Sequence, residues 1–215
     1  MKLVLFVEGY TERKGLPAFL KRWLDESLAA EGLPPVGFQA IRFEGWADYV
    51  RDIAKKVALN LGKTDVIGGI GLLDLYGPTF YPPDKSSASD RYRWAKSLLE
   101  DKVSHEAFRQ HFAVYETEAW LLSDPSVLPR AVADALPKRA SRPESVNFNE
   151  PPARLLDRLY TRHVRKPYRK AVDGPNLFRR LDPTVAVAKC PHLKLLLDDA
   201  LALARMALAP GGGAG

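Results

Sequence analysis

Three short acidic motifs hold the residues of this chain that could do chemistry: Val7-Glu8-Gly9-Tyr10-Thr11-Glu12, Leu72-Leu73-Asp74-Leu75-Tyr76-Gly77, and Tyr115-Glu116-Thr117-Glu118. Clustered carboxylates are hard oxygen ligands. They hold Mg²⁺ or Mn²⁺, and such a cation offsets phosphate charge, activates water and steadies a leaving oxygen. Each motif also has a plainer reading. A glutamate just before a helix is favoured by the helix dipole, and an aspartate at a strand end often serves as a turn or cap residue. Glu116 and Glu118 would face the same way on a strand but not on a helix, so a helix starting early leaves one of them for a metal, and Glu118 is favoured.

These motifs gain meaning from the elements before them. Lys2 to Val7 is a brief apolar run stopped by Glu8-Gly9, which suits a buried strand. Leu16, Phe19, Leu20, Trp23, Leu24 and Leu28 then recur at helical spacing, with Pro17 tolerable only in the first turn and Gly32 as the stop. Val36 to Phe43 reads as a second strand. Trp46 to Leu61 reads as a second helix closed by Gly62, and Val66 to Leu73 as a glycine-rich central strand stopped by Asp74. A helix around Trp94 to Leu99 and a strand over Phe108 to Val114 follow. Alternating strands and helices predict an α/β fold with a parallel sheet, where ligands bind beyond the carboxyl ends of the strands. Glu8, Asp74 and the 115–118 cluster all fall at such ends.

From Asp124 onward strand patterns vanish and helical stretches such as Ala153 to Leu159 and Leu193 to Leu208 predominate. This divides the chain into an α/β core over 1–124, a helical basic extension over 125–209 packed on the sheet, and a small flexible tail over 210–215. The extension carries Arg154, Arg158, Arg162, Arg165, Lys166, Arg169, Lys170, Arg179 and Arg180, with Tyr160, Tyr168 and Phe178 interleaved. That pattern reads as a track for a phosphate backbone, with a solvated helix face as the alternative.

Composition bounds the rest. With 215 residues, 46% hydrophobic and 27% charged, the chain falls among globular proteins, and a net charge of +6 is compatible with a polyanionic partner. One cysteine, Cys190, forms no internal disulfide and no paired-thiolate zinc site. No apolar run is long enough for a signal peptide or a membrane span, so the chain reads as cytoplasmic, with no membrane partner. Cys190-Pro191-His192 reads as a helix start with a buried thiol. Tyr10 and Tyr76 read as packing or hydrogen-bonding phenols rather than nucleophiles, and Gly68 to Gly71 lacks the Lys-Ser/Thr pair of a phosphate loop.

The strand followed by Val7-Glu8-Gly9-Tyr10-Thr11-Glu12 resembles the first motif of the Toprim fold, the catalytic domain of bacterial primases, topoisomerases and overcoming-lysogenization-defect nucleases. Leu72-Leu73-Asp74-Leu75-Tyr76 resembles the second, except that Tyr76 stands where a second aspartate is usual. Further blocks resemble an uncharacterised bacterial family of small stand-alone Toprim-like proteins: Tyr115-Glu116-Thr117-Glu118-Ala119-Trp120-Leu121-Leu122, Pro143-Glu144-Ser145-Val146-Asn147, Tyr168-Arg169-Lys170 and Cys190-Pro191-His192-Leu193. The resemblance implies a Mg²⁺- or Mn²⁺-dependent nuclease acting on DNA or RNA, with an ATPase partner and a defence or repair setting. It makes Glu8 a metal ligand and general base, Asp74 a second ligand, and Glu116 or Glu118 the replacement for the missing aspartate, with Glu12 and Tyr76 around them. Arg158, Arg162, Arg165, Lys166, Arg169 and Lys170 would bind the nucleic acid. The alternatives are a catalytically weak module that binds nucleic acid or an ATPase, and a hydrolase of small phosphate compounds. Self-association stays open.

Overall fold

The computed structural model describes residues 1–147 and 149–209; the tail expected over 210–215 lies outside the described residues. The elements run β1 (Lys2–Val7), α1 (Tyr10–Ala30), β2 (Gly37–Arg42), α2 (Trp46–Leu61), β3 (Val66–Asp74), α3 (Ala88–Val103) and β4 (Phe108–Ala113). Short helices α4 (Glu118–Leu121) and α5 (Arg130–Ala133) lead to α6 (Pro152–Val164), α7 (Lys170–Arg180), α8 (Pro183–Lys189) and α9 (Pro191–Leu208). The strands form one parallel sheet in the order β2-β1-β3-β4. The α/β class and the flanked parallel sheet are those the sequence predicts.

Burial on both faces explains why the strands read as continuous apolar runs rather than alternating ones. Leu3, Leu5 and Val7 of β1 join a core with α1 and the C-terminal helices, while Val4 and Phe6 join the opposite core with Ile53, Val57 and Leu99 of α2 and α3. The glycines of β3 answer crowding. A Cβ on Gly71 would stand 2.2 Å from the Tyr49 hydroxyl and 2.3 Å from Gln110 Oε1, a buried pair hydrogen-bonded at 2.7 Å.

Two local expectations fail. Helix α1 starts at Tyr10, so Pro17 is not in the first turn but well inside, where it removes one backbone hydrogen bond. Complete burial of Leu16, Phe19, Leu20 and Leu24 on the same helix holds it together nonetheless. The aromatics of the basic segment are not a stacking surface. Tyr160, Tyr168 and Phe178 are buried, because α6 and α7 turn their apolar faces onto the rest of the protein: Phe178 packs on Phe19 and Trp120, and Tyr160 on Tyr168.

Helix α1 ends as the sequence predicts. Gly32 takes φ +70°, and the Leu33 N–H closes back on Leu28 O at 2.9 Å. Helix α7 is pressed close to α1. A Cβ on Gly174 would meet Thr11 Cγ2 at 2.6 Å, and the Thr11 hydroxyl donates to the Lys170 carbonyl at 2.9 Å. This contact brings the first residue of α7 to the carboxyl edge of the sheet.

Candidate functional site: an acidic cleft closed by a lysine

Parallel register sets the site. Val7 pairs with Leu72, and Asp74 with Ala113, so Glu8, Asp74 and the segment after β4 leave the sheet at neighbouring strand ends. A cavity of about 340 Å³ opens there, lined by Glu8, Tyr10, Glu12, Asp74 and Lys170 among others. Glu116 and Glu118 are not part of its lining; Glu118 reaches it only through Lys170.

Each carboxylate is held differently. Asp74 Oδ1 accepts the Thr117 N–H at 3.0 Å, and Glu12 Oε1 accepts the Thr117 hydroxyl at 3.0 Å, so Thr117 ties two acidic motifs together. Glu116 Oε2 accepts the Ala153 N–H at 2.8 Å, at the start of α6. Glu118 opens α4 with no exposure to solvent. Gly9 is where the first motif makes room: a Cβ there would lie 2.0 Å from Glu12 Oε2.

Lys170 supplies the compensating charge. Its Nζ lies 3.0 Å from Glu118 Oε2, 3.4 Å from Asp74 Oδ2 and 4.0 Å from Glu12 Oε1. One ammonium does not balance the cluster. Burial and the neighbouring charge of Asp74 push Glu8 up to about 7. Glu12, Glu116 and Glu118 are likewise raised, chiefly by burial and then by their neighbours' charges, against the opposing pull of Lys170. Burial alone would lower the Lys170 ammonium, but the charges of Asp74, Glu118, Glu12 and Glu116 outweigh it and hold the lysine protonated.

The donor chemistry suits a hard divalent cation. The oxygens are carboxylate, and Glu12 Oε2 and Glu118 Oε1 are buried with no hydrogen-bond partner. Among the described residues, however, no three His, Cys, Asp or Glu side chains converge as a preformed metal site. The Lys170 ammonium stands among the oxygens that would have to meet.

The structure therefore brings Glu8, Glu12, Asp74, Glu116 and Glu118 to one region, with Tyr76 just beyond Asp74. It separates Lys170 from the other basic residues. Arg158, Arg162, Arg165, Lys166 and Arg169 are exposed, Arg158 paired with Glu150 and Arg169 with Asp173, whereas Lys170 turns inward to the carboxylates. Lys170, expected on the outer track, faces the carboxylates instead, and Thr117, which the motifs leave without a part, bridges Asp74 and Glu12. Residue type and spacing carry no signal that turns Lys170 inward, since its basic neighbours share both. Cys190 is buried, as expected at a helix start, and Glu144 caps that helix, accepting the N–H groups of His192 and Leu193.

Among the described residues no helix is long and apolar enough to cross a membrane. The chain is similar to a solved structure of the C-terminal region of the Burkholderia pseudomallei OLD protein, at 20% sequence identity and a TM-score of 0.49, over 96% of this chain and 98% of that one. No curated protein matches it. Residues 7–199 match the family described as a domain of unknown function (DUF4276), and the chain belongs to that family.

Proposed function

We propose that this protein hydrolyses phosphodiester bonds of DNA or RNA with a divalent cation held by Glu8, Asp74 and Glu118, with Glu12 and Glu116 supporting them. One observation carries the reading. Three carboxylates, those of Glu12, Asp74 and Glu118, lie within 4.0 Å of a single ammonium, two of them with buried, unpartnered oxygens, an arrangement that is costly unless a cation uses it. The order of the motifs, which resembles that of Toprim proteins, supports it further.

When bound, Mg²⁺ or Mn²⁺ would neutralise phosphate charge and acidify a coordinated water. The chain's own residues do the rest. Glu8, which lines the cleft beside Asp74, is placed to accept a proton from water there. Thr117 fixes Asp74 and Glu12, and Lys170 is placed to face a phosphate oxygen across the cleft. The exposed Arg162, Arg165 and Lys166 offer contacts to the flanking backbone. Tyr76 replaces the usual second aspartate, which makes Glu118 the third carboxylate of this reading.

A specific observation favours a second reading, a binding module: Lys170 already occupies the centre of the carboxylate cluster. The two separate in one assay. Labelled single- and double-stranded DNA and RNA are incubated with Mg²⁺, Mn²⁺ or EDTA and wild-type protein, Glu8→Ala or Asp74→Ala. Metal-dependent cleavage lost in both variants is expected; no cleavage above the variants, by a folded protein that still binds nucleic acid, overturns the nuclease in favour of the module.

A further inference from the structure

Among the described residues that line the acidic cleft, Lys170 is the single cation, set against the carboxylates of Glu8, Glu12 and Asp74. We propose that Lys170 is an exchangeable counter-ion of this site: its ammonium holds the carboxylates together, yields its place to a divalent cation, and is then free at the cleft for a substrate phosphate. The proposal rests on the metal-dependent reading above and deepens it, by naming what governs entry of the cation.

The carboxylates are spaced for an ammonium. Lys170 Nζ lies 3.0 Å from Glu118 Oε2, 3.4 Å from Asp74 Oδ2 and 4.0 Å from Glu12 Oε1, all within the reach of an ordinary ion pair. A hard divalent cation needs its oxygens closer, at about 2.0–2.6 Å. One set of oxygens therefore cannot serve both at once. The ammonium also leaves part of the cluster unused, since Glu12 Oε2 and Glu118 Oε1 are buried with no hydrogen-bond partner. Glu12 itself lines the cleft, so its unused oxygen belongs to the same site.

The lysine is the movable partner of this contact. Thr117 anchors Asp74 Oδ1 through its N–H and Glu12 Oε1 through its hydroxyl, each at 3.0 Å. The backbone of Lys170 is anchored as well, by the Thr11 hydroxyl on its carbonyl at 2.9 Å and by the close approach of Gly174 to Thr11. Its side chain is not, for it is 39% exposed and carries the ammonium on a flexible four-carbon stem. The ammonium can swing out while the helix stays in place. Charge dictates that it leaves only in exchange, because Glu12 and Glu118 are buried and would otherwise stand uncompensated. A divalent cation brings two charges in place of one, at shorter range.

The test measures cation binding without chemistry. Mn²⁺ is titrated into the full chain in the absence of nucleic acid, and the electron paramagnetic resonance signal of free Mn²⁺ reports what remains unbound. Lys170→Met, which removes the competing charge and keeps the stem, should bind Mn²⁺ about 10-fold or more tightly than the wild type. Adding Asp74→Asn to Lys170→Met should abolish that gain. Equal or weaker affinity in Lys170→Met overturns the proposal, and so does a gain that survives Asp74→Asn, since the ion would then sit elsewhere. Should Lys170→Met fail to fold by circular dichroism, the wild type alone decides. Mn²⁺ should then raise the rate at which an amine-reactive ester labels Lys170, read by mass spectrometry of its peptide, and an unchanged or lowered rate overturns the exchange. The cleavage assay fails independently: metal-dependent cleavage with equal Mn²⁺ affinities keeps the nuclease and removes the exchange, whereas tighter binding by Lys170→Met without cleavage by the wild type does the reverse.

Discussion

Lys170 Nζ stands 3.0 Å from Glu118 Oε2, joining the first residue of α7 to the first residue of α4 across the carboxylate edge of the sheet. Glu118 has no solvent exposure, so its charge depends on that ammonium. Replacing Lys170 by methionine should lower stability by on the order of 2–3 kcal/mol at pH 7.5, less than for a fully buried pair because the lysine is 39% exposed. Urea unfolding measures it. A double-mutant cycle with Glu118→Gln should recover much of the loss; simple additivity within about 0.5 kcal/mol would show that the two do not interact.

Glu8 makes the cleft sensitive to pH. Its folded pKa of about 7 is above its ordinary value of 4.5, so the native state binds the extra proton between those limits. The group's contribution is present in full below about 4.5 and is lost as pH rises through 7. His111 acts in the opposite sense, since burial lowers its imidazole below 6.5. The comparison of interest is therefore wild type against Glu8→Gln at matched pH in EDTA. The variant's Tm should gain on the wild type from pH 5 to pH 8, and parallel pH curves would count against a raised Glu8.

Gly9 is a spatial requirement of the first motif. An alanine there would place its Cβ 2.0 Å from Glu12 Oε2, so the buried Glu12 side chain must move away from Thr117. Gly9→Ala should cost about 1–3 kcal/mol by urea unfolding. Glu12→Ala in the same chain should relieve the clash and return part of that loss.

Glu144 does a structural task at the start of α9, outside the lining of the cleft. It accepts the His192 and Leu193 N–H groups at 3.0 and 3.3 Å, and pairs with His192 Nδ1 at 2.7 Å, at the start of α9. Glu144→Ala should remove about 1–2 kcal/mol and lower Tm by about 2–8 °C. Nucleic-acid binding measured well below Tm should stay unchanged, which separates this motif from the cleft.

The strands, the main helices and the places where acids meet strand ends are legible in the local residue pattern. Apolar runs stopped by Glu8 and Asp74 fix β1 and β3, because a parallel strand buried on both faces has no polar positions until it leaves the sheet. The stop at Gly32 was equally local, since its left-handed φ suits glycine. Tertiary structure decided what the basic segment does with each residue. Spacing cannot tell an arginine facing solvent from a lysine facing carboxylates. Only the close packing of Gly174 on Thr11 turns Lys170 into the cleft and buries Tyr168 beside it. Likewise Pro17 sits inside α1 because long-range burial of Leu16 and Phe19 outweighs a local backbone cost that the sequence alone takes as decisive.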